Sequence, residues 1–167
     1  MKKTWLFLMT VTLALCLCAC GKGAFGRQEL SVTVNGTAIT ADSPVQSILS
    51  VLGEDYTYTE AVSCVYDGMD GTYSYENAQL YTFPDGDAQK LMELYLTGGD
   101  AVTGRGIGLG ASRAEVEEAY GKGELTGIVL TYALEASSDD MVPASLSFEL
   151  DGDTVCAISL TAEHRAE

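Results

Sequence analysis

The chain has 167 residues, 24 acidic against 9 basic side chains, a net charge of −15 and an apolar share of 47%. That apolar share supports a packed core and excludes a disordered chain, and the length suits one compact domain or two small halves. The negative charge repels nucleic acid and anionic lipid headgroups, so neither is expected as a partner recruited by charge.

The chain opens with Lys2 and Lys3, an apolar run from Thr4 to Leu17, and then Leu17-Cys18-Ala19-Cys20. A short cationic segment, an apolar stretch too short to span a bilayer comfortably and a small residue before the cut predict a cleaved export signal over 1–19. Leu17, Cys18 and Ala19 before Cys20 resemble the lipobox of bacterial lipoproteins. That resemblance implies a diacylglyceryl group on Cys20 and attachment to the outer side of the cell membrane. Two acyl chains, each stabilising by about 0.8 kcal/mol per buried CH₂, give durable attachment where one does not. Loss of 1–19 leaves 148 residues with 7 basic and 24 acidic side chains, a net −17.

Residues 20–29 are Gly-rich with little apolar periodicity and read as a lipidated N-terminus and tether. At about 3.3 Å per residue such a tether holds the body within roughly 30 Å of the bilayer. Over 30–42, Leu30–Val34 and Thr37–Thr40 flank Asn35-Gly36, a pair that accepts the positive φ of a tight turn and predicts a hairpin.

From Ser43 the pattern runs twice. Ser43, Pro44 and Gln46 predict a helix N-terminus, Ile48, Leu49 and Leu52 its buried stripe, and Gly53 its stop. Ser112 and Glu115 form a second capping box, with Val116, Ala119 and Tyr120 as the stripe and Gly121 as the stop. Three strand-like runs follow each helix: Ala61–Tyr66 with a continuation through Thr72–Tyr75, Ala78–Phe83 and Leu91–Leu96, then Thr126–Leu134, Ala144–Leu150 and Thr154–Thr161. A shift of 66 residues pairs Leu80 with Leu146, Asp85-Gly86 with Asp151-Gly152, and Leu94 with Leu160. The expected fold is α+β. Two tandem αβββ repeats, 43–97 and 112–162, build an antiparallel sheet with two helices on one face. The 30–42 hairpin precedes them, a Gly-rich connector over 98–111 joins them, and 163–167 is a tail.

Tandem αβββ repeats and the Gly106-Ile-Gly-Leu-Gly-Ala-Ser run ending at Tyr120-Gly121 resemble the β-lactamase-inhibitor-protein-like superfamily. The single unit is similar to small assembly lipoproteins of the SmpA/OmlA type. Ser63-Cys64-x-Tyr66-x-Gly68-x-Asp70 and Tyr81-Thr82-x-Pro84-x-Gly86 resemble segments of lipoproteins from Gram-positive gut bacteria. The resemblance covers about residues 38–162 and implies protein binding across a concave sheet.

The remaining constellations point away from chemistry. Gly104–Gly110 lacks the Gly-Lys-Ser/Thr ending of a phosphate loop and reads as a connector. Asp67, Asp70, Asp85, Asp87, Asp139, Asp140, Asp151 and Asp153 fit tight turns better than a twelve-residue calcium loop, so no metal and no cofactor is expected. His164, the only histidine, sits near the end of the chain, where a rigid catalytic imidazole is not expected. Cys64 and Cys156 are left either to pair as a disulfide or to pack as two thiols. Tyr56, Tyr58, Tyr66, Tyr73, Tyr75 and Tyr81 crowd the first repeat and, on the sheet face away from the helices, would form a contact surface. The expected function is that of a membrane-anchored, non-catalytic binding or scaffold module for another envelope or extracellular protein. The alternative is a structural accessory subunit of a cell-envelope assembly.

Overall fold

The computed structural model describes residues 24–166, so Cys20 and the expected export signal lie outside the described residues. Thirteen strands and two helices follow in chain order. They are β1 (Ser31–Val34), β2 (Thr37–Thr40), α1 (Val45–Leu52), β3 (Thr57–Val62), β4 (Met69–Ser74), β5 (Ala78–Asp85), β6 (Ala88–Leu96), β7 (Val102–Thr103) and α2 (Arg113–Tyr120). After them come β8 (Glu124–Thr126), β9 (Val129–Ala133), β10 (Met141–Val142), β11 (Ser145–Asp151), β12 (Thr154–Thr161) and β13 (His164–Arg165).

The fold is α+β, built on one antiparallel sheet of eight strands in the order β3-β4-β5-β6-β12-β11-β9-β8. Its registry sorts the side chains into rows, because residues directly opposite each other in an antiparallel pair share a face. One face carries Tyr58, Tyr73, Leu80, Leu94, Leu160, Leu146 and Tyr132 in one row. Ala78, Leu96, Ile158, Phe148, Leu130 and Leu125 form the next row on that face. The leucines, Ile158 and Phe148 of these rows belong to one buried cluster, apart from Leu125 at the rim. Val45 and Ile48 of α1 and Val116, Ala119 and Tyr120 of α2 enter the same cluster, which places both helices on this face. Val32, Val34 and Ile39 of the small β2-β1-β7 sheet complete the covering layer.

Local signals act as expected at most turns. Asn35 and Gly36 take φ 50° and 74° between β1 and β2, and Gly86 and Gly152 take φ 61° and 62° in the two Asp-Gly turns. At α2, Ser112 Oγ accepts from the Glu115 N–H at 3.3 Å, and the Ser112 N–H donates to Glu115 Oε2 at 2.7 Å. Gly53 and Gly121 end the helices with φ 92° and 85°.

Five expectations are corrected. Ser43 does not cap α1: its Oγ accepts from the Thr40 N–H at 2.9 Å, and the helix starts from the Pro44 carbonyl. Ala61–Tyr66 is not a strand beyond Val62, because Ser63 Oγ accepts from the Val65 and Tyr66 N–H groups at 3.4 and 3.2 Å and turns the chain toward β4. Thr126–Leu134 is split by Gly127 at φ 61° into β8 and β9, so each helix is followed by four strands of the large sheet rather than three. The connector and the tail each contribute a strand, β7 against β1 and β13 against β10.

The fifth correction concerns the tether, whose second half is part of the body. The Phe25 ring sits 6.1 Å from Tyr120 and 5.8 Å from Tyr132, and Arg27–Glu29 forms a 3-10 turn. Glu29 is fixed by Arg105, whose Nη2 lies 2.8 Å from its carboxylate while Nη1 donates to the Ala119 carbonyl at the end of α2. Burial alone would raise the Glu29 pKa, but the bonds from Arg105 and the Gly26 N–H outweigh it and hold the carboxyl below its ordinary value.

Two outcomes follow for stability. Leu160→Ala removes a fully buried side chain at the middle of the sheet and should cost about 2–5 kcal/mol, read as a lower urea midpoint in a single transition that takes both halves down together. Glu29→Gln should lower the melting temperature at pH 7. A carboxyl with a lowered folded pKa stabilises above its unfolded pKa of about 4.3 and stops doing so as the pH falls through the folded value. The gap between Glu29→Gln and the parent should therefore close on acidification from about pH 5 to about pH 3.

Candidate functional site

The second face of the large sheet is polar. Thr57, Ser74, Gln79, Tyr95, Ser159, Ser147, Thr131 and Glu124 run across all eight strands in one row. Thr59, Thr72, Tyr81, Glu93, Thr161, Ser145 and Ala133 form the next row. Most of these side chains are half-buried, as expected of a sheet face that meets solvent.

The face is held together by its own hydrogen bonds. Tyr95 Oη donates to Glu149 Oε2 at 2.9 Å, Ser159 Oγ donates to Glu93 Oε1 at 2.6 Å, Thr131 and Ser147 share a hydroxyl contact at 3.0 Å, and Tyr81 donates to Gln79. Burial first, then the bond to Glu149 and the charges of Glu149, Cys156 and Glu93 push the Tyr95 phenol up to about 12. At neutral pH the centre of the face is therefore a neutral phenol between two carboxylates. It offers carboxylate and hydroxyl oxygens on an open sheet face, a chemistry suited to meeting amide and cationic groups of another polypeptide.

The six tyrosines expected to share this face do not. Tyr58 and Tyr73 belong to the apolar row on the helix-bearing face, where Tyr73 and Tyr75 pack against the core. Tyr56 joins them, with ring separations of 5.1 Å to Tyr73 and 5.4 Å to Tyr75, and Tyr58 lies 4.7 Å from Tyr73. The Tyr75 hydroxyl donates to the Gly53 carbonyl just after α1. Tyr66 lies in the loop after β3, stacked on Phe83 at 4.6 Å, and its Oη accepts from the Arg165 N–H. Tyr81 alone lies on the polar face. Sequence reading passed over its companion Tyr95, although alternation with the core residues Leu94 and Leu96 marked Tyr95 as facing the other way.

Cys64 and Cys156 are free and exposed rather than bridged or packed. Cys64 sits in the loop after β3, while Cys156 sits where β12 bulges against β11, its Sγ donating to the Glu149 carbonyl.

A cleft of about 940 Å³ opens beyond one end of the sheet, lined in part by Arg27, Asp42, Tyr66, Phe83, Lys90 and Arg165. Its cations are already engaged: Arg27 with Asp42 at 2.5 Å, Lys90 with Asp85 at 3.6 Å, and Arg165 over the Tyr66 ring at 5.8 Å. His164 stands 6.3 Å from Phe83 and its Nδ1 is 2.9 Å from the Ala162 carbonyl. Among the described residues no three His, Cys, Asp or Glu side chains converge as a metal site, and no helix is long and apolar enough to cross a membrane.

No protein-family model matches the chain, and neither a curated protein nor a solved structure matches it.

The Tyr95–Glu149 bond sets a spectroscopic test. Glu149→Gln removes the neighbouring charge and should lower the Tyr95 phenol from about 12, read as an earlier alkaline rise in ultraviolet absorbance that Tyr95→Phe abolishes. The phenols of Tyr75 and Tyr132, also raised to about 12 chiefly by burial, should titrate unchanged.

Proposed function

We propose that this protein is a lipid-anchored module on the extracytoplasmic face of the cell membrane that binds another envelope or extracellular protein through the uncovered face of its sheet and carries out no catalysis. The observation that carries this reading is the asymmetry of the sheet, apolar and covered on one side, polar and open across eight strands on the other. A sheet needs only one buried face for stability, which leaves the residues of the other free for recognition.

The lipobox-like Leu17–Cys20 supports anchoring through Cys20. The packing of Phe25 gives the anchor a definite place on the body, because five residues from Cys20 to Phe25 reach at most about 17 Å. Phe25 touches Tyr132 on β9, so the α2 side of the fold would lie close to the bilayer. On the sheet order, β3 is six strands away from β9, about 29 Å at ordinary strand spacing.

The strand order also supports descent from a duplicated unit, now read as a helix followed by four strands. The outermost strands β3 and β8 directly follow α1 and α2, and the last strand of each set, β6 and β12, meet at the centre. The matching Gly86 and Gly152 turns fall 66 residues apart. This arrangement is in keeping with the resemblance to β-lactamase-inhibitor-protein-like and SmpA/OmlA-type proteins, for which the implied role is protein binding.

Crosslinking in intact cells tests the reading. A palmitate analogue should label the parent and not Cys20→Ala. Ser147→Arg with Thr131→Arg, two substitutions on the open face that also break the contact between their hydroxyls, should remove the crosslinked partner while keeping the parent's circular dichroism spectrum and a single melting transition at a somewhat lower temperature. Equal labelling of the parent and Cys20→Ala ends the anchor, and an undiminished crosslink ends the role of this face.

A further inference from the structure

Of the two edge strands of the large sheet, β3 is the longer. It pairs on one side only, with β4, and all six of its residues, Thr57 to Val62, are exposed. Val62 is 76% exposed and Tyr58 42%. The opposite edge, β8, is three residues long, too short to template much pairing. Natural sheets protect long edges with proline, lysine, a bulge or a covering loop. None of the first three is found in β3, whose registry with β4 runs unbroken from Thr57 opposite Ser74 to Val62 opposite Met69. Thr, Tyr and Val are also the residues that best accept a new neighbour on a pleated edge.

Charge selects what could pair there. From Gln28 to Gln89 the chain carries no lysine or arginine, while Glu54, Asp55, Glu60, Asp67, Asp70 and Glu76 flank or lie on the β3–β4 hairpin. A second copy of the chain would bring the same acidic edge against itself, Glu60 near Glu60, between chains of net charge −15. A basic strand meets the opposite condition.

We propose that β3 is a strand-addition site, which takes an extended, lysine- or arginine-rich segment of a partner protein as a ninth strand. Main-chain bonds to the open edge supply register-independent affinity. Basic side chains on the face of Tyr58 meet Glu60 and the acidic flanks and lay their methylene stems on the exposed rims of Tyr56 and Tyr58, while apolar side chains at alternate positions lie on the other face, against Thr57, Thr59 and Ala61. This site is the backbone edge of the sheet, bordering the open polar face at Thr57 and Thr59, and does not depend on the lipid anchor, although an anchor near Phe25 would set this edge far from the bilayer.

The test uses the full-length chain and a peptide of alternating lysine and valine, about eight residues long to match a strand. Two control peptides are used, one with the same charge but prolines at alternate positions, the other with glutamate for lysine. The expected result is saturable binding of the lysine–valine peptide that weakens with added salt and protects the amides of residues 57–62 from hydrogen exchange. The proline and glutamate peptides should bind at least about tenfold more weakly. Glu60→Lys with Val62→Lys should weaken binding by about tenfold or more without moving the melting temperature, since both side chains are exposed, whereas Ser147→Arg on the open face should leave it unchanged. Equal binding of the proline peptide, protection elsewhere than on β3, undiminished binding by the double-lysine variant, or pairing of two copies through β3 in place of peptide binding would each overturn the proposal.

Discussion

The pairing of β6 with β12 is the constraint on which the rest of the molecule depends. Leu96 faces Ile158 and Leu94 faces Leu160, all four nearly or fully buried. This seam makes one eight-stranded sheet out of two four-stranded sets, neither of which has enough covering layer by itself. A four-stranded set under one eight-residue helix would leave much of its leucine row in water. Joined, the rows from Tyr73 to Tyr132 and from Ala78 to Leu130 are continuous, and one helix covers each half. The parity of each strand relative to this seam then decides which side chains face the core and which face solvent. Tyr95 and Glu93 are set on the open face because Leu94 and Leu96 are not.

Three segments of the covering layer meet at Arg105. The 3-10 turn at Arg27–Glu29, the Gly-rich connector and the end of α2 bring Leu30, Ile107 and Tyr120 into the common core, and a polar tie joins them at its margin. The guanidinium of Arg105 bonds Glu29 and the Ala119 carbonyl and lies 5.1 Å from the Tyr120 ring centre, so one side chain ties all three segments. Its charge also suits the carboxyl end of α2, where the helix dipole favours a cation. Gly106 and Gly110, with φ 81° and 82°, let the connector bend around this arginine. The glycine run that superficially suggests a phosphate loop therefore has a structural task, and the Gly110 N–H donates to the Val155 carbonyl rather than standing free.

What was legible in the sequence was what is decided within a few residues. The Asn35-Gly36 turn, the Ser112 capping box, the glycine stops and the two Asp-Gly turns depend on local φ angles and local hydrogen bonds, and all are where the residue types put them. Less legible were features decided by partners far along the chain. β7 and β13 are two residues each and exist only because β1 and β10 lie beside them. The runs 61–66 and 126–134 are apolar enough to read as strands, and sheet pairing shows the first ending at Val62 and the second divided by a turn at Gly127. Ser43 carries a signal that two structures could use, and the closing turn of the hairpin took its hydroxyl before α1 could. For the tyrosines, alternation alone separates Tyr73 and Tyr75 from Thr72 and Ser74, but which set faces the helices is settled by registry with Leu80. The candidate face was therefore identified as a surface while most of its expected aromatic residues lie elsewhere.

The distribution of charge joins these separate surfaces into one picture. A chain of net −15 gains nothing in stability from so many like charges, since self-repulsion weakens a compact state. The cations are placed where the fold needs them: Arg105 at the connector, Arg113 four residues from Glu117 on α2, and Lys90 beside Asp85 at a hairpin tip. The stretch without any cation, Gln28 to Gln89, builds the half of the sheet that ends in the exposed edge β3. Acidic side chains that no internal cation neutralises raise the local negative potential, and a partner carrying the opposite charge lowers it on contact. The surplus of acid thus has a physical reading as a means of selecting basic partners and repelling further copies of the chain. It acts most strongly at the edge where backbone pairing alone would accept almost any extended strand.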